Sequence, residues 1–226
     1  MTALANLAKF QGRYDIFLQI RQRYSLKWSK GDSMQSFARF FNESLDFDTM
    51  LQRIREMIAK TPTWTGKIIK WAVVTGLRPS EVVESVRLIN STDEFPKYYN
   101  SSRSALEHFR FSQFQRQTKK CYISFVTPSM LELAKLPPPL ARTDSSSTIS
   151  YNQVRLACCK AGIRCDLRFA RKIFASWLHQ CGISDIMIDL LQGRVGKSVL
   201  VNHYITPGQD YKAIVLQALE KLQKQL

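Results

Sequence analysis

The chain has 226 residues, 45% of them hydrophobic, which suits one large domain, or one domain with a fragment of another, around a buried core. Its 33 Lys+Arg against 18 Asp+Glu leave a net charge of +15, which favours a polyanionic partner such as nucleic acid. Five cysteines with no CxxC pair and no histidine at zinc spacing argue against a structural metal, and no apolar run approaches the ~20 residues that span a bilayer. The expectation is therefore a cytoplasmic protein with reduced, mostly buried thiols, no leader-like segment and no membrane partner.

From Met1 to about Lys30, apolar positions at spacings of three and four predict amphipathic helix, in Leu4 to Phe10 and again in Tyr14 to Ile20. Its abrupt start reads as the tail of a preceding helical domain. The turn-rich stretch from Trp28 to Ser33 marks the expected boundary, with 1–30 a helical remnant or linker and 31–226 the main domain. Asp46 or Asp48 is placed to cap a helix through Met50, Leu51, Ile54, Met57 and Ile58, which Pro62 then stops. A second helix, about Trp64 to Val74, is apolar on one face and ends at Gly76, a left-handed stop. Helix restarts with Pro79 and Ser80 in its first turn and runs to about Ile89.

Phe109 and Phe111, then Tyr122, Ile123, Phe125 and Val126, predict two short strands flanking a basic turn from Gln115 to Lys120. Leu136 to Pro139 and Arg142 to Thr148 read as an exposed linker. Helices are expected at about Tyr151 to Ala161, Arg168 to Gln180 and Asp185 to Gln192. A last amphipathic helix, Asp210 to Leu226, closes on Ile214, Leu216, Leu219 and Leu222. The class is mostly α with a small antiparallel sheet or hairpin, an α+β arrangement.

Four places could carry chemistry. Arg78 lies between a glycine stop and a helix start, where free N–H groups and a guanidinium fork together favour a phosphate; alternatively it pairs with Glu81 or Glu84 on the surface. Arg168 and Arg171 share one helical face, which suits an anion held between them, or a solvated basic face with Lys172 and Arg164. Arg194 follows Gly193 at the expected end of a helix, where backbone and fork can both approach a phosphate; the alternative is a loop arginine in water. Tyr204 sits in a short apolar element ended by Pro207-Gly208. A phenol near its usual pKa of ~10 is a poor nucleophile, which surrounding cations would activate, and a packed structural tyrosine is the alternative.

Those stretches resemble, in order, the boxes of the tyrosine recombinases, the integrase family of site-specific DNA recombinases. Thr75-Gly-Leu-Arg-Pro-Ser-Glu-Val82 resembles the first arginine box and Arg171-Lys-Ile-Phe-Ala-Ser-Trp-Leu178 the second. Leu190-Leu-Gln-Gly-Arg194 resembles the glycine-histidine box, and His203-Tyr204 the nucleophile box. The match covers roughly Asp46 to Leu226 and is most similar to integrases of archaeal viruses and plasmids, in which Arg194 takes the place usually held by histidine.

The resemblance implies the tyrosine recombinase catalytic-domain fold, with residues 1–30 the remnant of a core-binding domain. It implies that Arg78 and Arg171 clamp the scissile phosphate of double-stranded DNA attachment sites. Lys119, or Lys120 if the hairpin slips by one, would protonate the leaving 5′-oxygen, and Tyr204 would form a 3′-phosphotyrosyl link. No cofactor or metal is implied, since clustered cations do the electrostatic work. Tetramers on DNA are implied, with the last helix a candidate for docking on a neighbour. Arg168 departs from the usual His or Lys, and as an arginine it stabilises charge rather than accepting a proton, which leaves deprotonation of Tyr204 without an owner. A competing register makes Arg168 the clamp and Cys165 the upstream residue. The rival functions are a type IB topoisomerase-like enzyme and a non-catalytic DNA-binding remnant.

Overall fold

The computed structural model describes residues 2–26, 46–116, 119–137, 149–165, 167–194 and 210–226, with the backbone alone at Thr2, Lys119 and Arg168. The chain divides into two compact units, Met1–Leu45 and Asp46–Leu226. The boundary expected near residue 30, like the main linker from Arg142 to Thr148, lies outside the described residues. The first unit holds helices α1 (Thr2–Phe10) and α2 (Tyr14–Arg23), with Tyr14 and Phe17 stacked at 5.8 Å.

The second unit is built around one helix. α3 (Phe47–Lys60) starts at Asp46, whose carboxylate accepts the Thr49 N–H at 2.7 Å, so the first of the two proposed caps is the one used. α4 (Thr63–Thr75) follows after Pro62 and ends at Gly76, with φ +62. Ile68, Ile69, Trp71, Ala72, Val73 and Val74 are all fully buried, so apolar residues face its neighbours nearly all round rather than on one side. It packs against α3, α7 (Pro128–Ala134), α8 (Tyr151–Lys160), α9 (Leu167–Gln180) and α11 (Tyr211–Lys224). Truncating an isoleucine here to alanine is expected to cost roughly 2–5 kcal/mol through lost contacts and the cavity left behind. The remaining helices are α5 (Pro79–Ile89), α6 (Phe95–Tyr98) and α10 (Asp185–Leu191).

The β-structure departs from expectation. Phe109 falls in a 3-10 turn, His108–Arg110, and a second such turn spans Ser112–Phe114. The hairpin forms inside the stretch read as a turn: β3 (Gln115–Arg116) pairs with β4 (Lys119–Lys120), with Arg116 opposite Lys119. A separate three-stranded antiparallel sheet joins β1 (Tyr99–Asn100), β2 (Ala105–Leu106) and β5 (Ser124–Phe125) in that order. Of the aromatic residues that suggested strands, Phe125 does lie in one, β5, while Phe109 is half exposed. Phe111 and Phe114 pack on the ring of Tyr98 at 5.4 and 6.0 Å.

A neutral polar chain crosses this core. Trp71 Nε1 donates to Ser85 Oγ at 3.2 Å, and the Tyr98 hydroxyl meets Ser85 Oγ at 2.9 Å and His108 Nδ1 at 2.8 Å. His108 Nε2 then meets Ser124 Oγ at 2.8 Å. Burial pushes His108 down to about 3, so it is uncharged at neutral pH.

Three further details differ from the sequence reading. α11 buries Val215, Ala218, Leu219 and Leu222 against α9, α4 and β5 of its own chain, while Ile214 is half exposed. Leu136, expected in an exposed linker, is buried, and its N–H donates to Asn90 Oδ1 at 3.0 Å. All five cysteines are free, but only Cys121 and Cys158 are buried; Cys159 is exposed, and Cys165 and Cys181 are partly so. No helix among the described residues is long and apolar enough to cross a membrane.

Candidate functional site

Two glycines bring three arginines together. Gly76 ends α4 in the left-handed conformation, and a Cβ there would stand 2.5 Å from the Phe174 ring on α9. That close seat lets the Gly76 carbonyl accept Arg171 Nη1 at 2.6 Å. Gly193 ends α10 with φ +66 in a Schellman arrangement: Gly193 N–H bonds the Leu190 carbonyl at 3.0 Å and Arg194 N–H the Asp189 carbonyl at 2.7 Å. A Cβ on Gly193 would lie 1.8 Å from the Lys120 carbonyl oxygen, so only glycine lets this turn rest on β4.

Arg171 is 8% exposed, and Gln192 holds it from both ends. Arg171 Nη2 donates to the Gln192 carbonyl at 3.0 Å, and Gln192 Nε2 donates to the Arg171 carbonyl at 2.8 Å. These described partners occupy two of the five guanidinium N–H donors, and none is a carboxylate. Burial, then the charges of Arg78 and Arg194, push Arg171 down to about 10. It remains a cation at neutral pH, with Glu81 acting on it only from a distance and no carboxylate bonded to it among the described residues.

Arg78 stands just before Pro79, the first residue of α5. Glu81, in the first turn of that helix, accepts the Arg78 backbone N–H at 2.9 Å and Arg78 Nη1 at 2.8 Å. The pairing with Glu81 weighed from sequence is therefore present. It does not make Arg78 a detached surface residue: Nη1 also reaches the Lys120 carbonyl at 3.3 Å, and Nη2 reaches the Gly193 carbonyl at 3.2 Å. Arg78 thus ties together the start of α5, the hairpin and the turn after α10. Arg194 is half exposed and lies 3.6 Å from Asp189.

The three guanidiniums open on a groove of about 760 Å³, lined also by Arg116, Lys172 and Tyr151. Arg116 shares Glu81 with Arg78, at 3.2 Å. Behind the cluster, burial first and the nearby Glu81 second push the Cys121 thiol up to about 12, so it adds no negative charge to compete for the cations. Such a groove can grip an anion with several oxygens through charge-assisted bonds in a partly dry setting.

Of the residues singled out from sequence, Arg78, Arg171 and Arg194 meet at this groove. Lys119 lies on β4, directly opposite Arg116, and Arg168 lies in the first turn of α9; for both, only the backbone is described. His203 and Tyr204 lie outside the described residues. Sequence reasoning missed Arg116, Tyr151 and Gln192. Arg116 had a detectable signal, since a basic stretch with a hairpin inside it places its ends beside each other; Gln192 had none. Among the described residues no group of three His, Cys, Asp or Glu side chains is placed to hold a metal. No protein-family model, no curated protein and no solved structure matches the chain.

Proposed function

We propose that the chain is a tyrosine-type, site-specific DNA recombinase, the catalytic part of an integrase that cuts and rejoins strands at paired attachment sites. The observation that carries this reading is the convergence of Arg78, Arg171 and Arg194, from three separate segments, on one groove with charge to spare. Their order along the chain is that of the recombinase boxes, and the fold they share would be the catalytic-domain fold of that family.

In this reading Arg78 and Arg171 grip the non-bridging oxygens of one backbone phosphate, and Arg194 adds a third positive contact. Tyr204 attacks phosphorus, the bond to the 5′-oxygen breaks, and a 3′-phosphotyrosyl link forms. Lys119, next to Lys120 on the hairpin strand that carries the carbonyl contacted by Arg78, supplies the proton to the leaving oxygen. Arg168, one turn before Arg171, adds charge stabilisation. The reaction conserves the energy of the broken phosphodiester in the new one, so rejoining needs no nucleotide. Since α11 spends its apolar face on its own chain, a tetramer on DNA would use another surface or exchange that helix.

A suicide duplex, nicked close to the cut so that the released piece diffuses away, tests the chemistry. The wild-type chain is expected to trap a covalent DNA adduct and Tyr204→Phe to trap none. Adduct on Tyr204→Phe, or on neither protein, overturns the proposed cleavage. Relaxation of supercoiled plasmid without strand exchange would assign the same chemistry to a topoisomerase.

A further inference from the structure

The arginine groove is one end of a longer channel. A second groove, about 810 Å³, shares Pro79 and Tyr151 with it and continues over Arg155 in the middle of α8 and Arg164 just beyond that helix. A third, about 430 Å³, shares Ile163 and Arg164 with the second and ends between Arg53 and Lys60 on α3. Among the described lining residues of the second and third grooves, Glu56 is the one carboxylate.

Several cations along this path have no carboxylate partner among the described residues. Arg53, Lys60, Arg155, Arg164 and Lys172 make no ion pair with any described residue. At the head of the path Arg78 and Arg116 share Glu81 and Arg194 faces Asp189, so most of these unpaired cations lie along the second and third grooves. Cations left unpaired along a connected concavity suit a ligand with evenly spaced negative charges along its length. Stacked aromatic platforms, which a single strand would use, are not the dominant feature here.

We infer that the backbone of duplex DNA runs from the arginine cluster over Tyr151, past Arg155 and Arg164, to Arg53 and Lys60, so that the second unit alone carries a multi-phosphate binding path. This rests on the reading of the cluster as a DNA site, and it names where the duplex lies beyond the reacting phosphate. Contacts of this kind position the duplex without reading its sequence.

The test uses the full chain and the variant Arg53→Gln/Arg155→Gln/Arg164→Gln, with a DNA duplex of about 30 base pairs and affinity followed against salt. All three arginines are exposed, so the fold should tolerate the changes, and thermal unfolding checks that it does. Each phosphate contact contributes about 0.9 to the slope of log affinity against log salt, so the variant should lose about 2 to 3 in slope and bind at least about tenfold more weakly at moderate salt. Unchanged slope and affinity would overturn the path. So would a loss of affinity confined to a duplex RNA of the same length. If the slope falls but the wild-type chain forms no covalent adduct, the path stands and the cleavage reading falls. Adduct with an unaltered slope gives the reverse.

Discussion

Arg87, partly buried on α5, and Arg171, buried on α9, are satisfied in opposite ways. Arg87 lies between Glu84, at 2.8 Å, and Glu94, whose carboxylates raise its pKa. Arg171 lies on two backbone carbonyls, with Arg78 and Arg194 nearby, and burial and their charges lower its pKa. A guanidinium between carboxylates is electrically complete and serves the fold. One that rests on carbonyls is fixed in position yet pairs with no carboxylate among the described residues, so its geometry suits an added anion.

The sharpest way to break this contrast is to dislodge the turn that supplies the carbonyls. Gly193→Ala would force a methyl into the Lys120 carbonyl, at 1.8 Å, on a residue already at φ +66. Since both the backbone conformation and the packing oppose it, the expected loss of stability is on the order of 3 kcal/mol or more in urea unfolding. A variant as stable as the wild type would mean that the turn does not rest on β4, and the convergence of Arg78 with Arg171 would lose its support.

Acid separates the scaffold from the site. His108 is neutral in the fold, with its pKa lowered by burial to about 3 against 6.5 ordinarily, so between those values the unfolded chain binds the extra proton. Stability is therefore present above about pH 6.5 and falls as pH drops towards 3, by at most ~1.4 kcal/mol per pH unit from this residue. Removing the imidazole with His108→Gln should flatten that part of the pH dependence of unfolding, even though it lowers stability at neutral pH. The arginine cluster keeps its charge throughout, so DNA binding should persist until the chain unfolds. An unchanged pH slope in the variant would show that His108 is not the group that titrates.

Much of this was legible because local signals agreed. Asp46, Pro62, Gly76 and Pro79 punctuate helices whose apolar spacing already marked them, and the structure uses each where it was expected. A small antiparallel sheet was legible, but most of its strand positions were not. Its strands are two residues long, too short for alternation to register; Phe125 does lie in β5, but Phe109 falls in a 3-10 turn and Phe111 packs on Tyr98. At the groove, Arg78 and Arg194 could be found because each adjoins a glycine stop. Glu81 was visible only as a rival partner for Arg78, whereas it serves as shared acceptor for Arg78 and Arg116 across 35 positions of chain. Tyr151 and Gln192 reach the site through tertiary packing, which no spacing encodes.

The central claim is that the arginines converging on the groove, and not arginines in general, hold nucleic-acid phosphate. Arg194→Gln and Arg87→Gln test it in parallel, since each removes one charge and Arg194, half exposed, can be lost without emptying the core. Measured against salt with one DNA duplex, Arg194→Gln should bind several-fold to about tenfold more weakly, with a slope shallower by about 1, while Arg87→Gln binds as the wild type does. Equal losses in the two variants, or none in Arg194→Gln, would contradict the account.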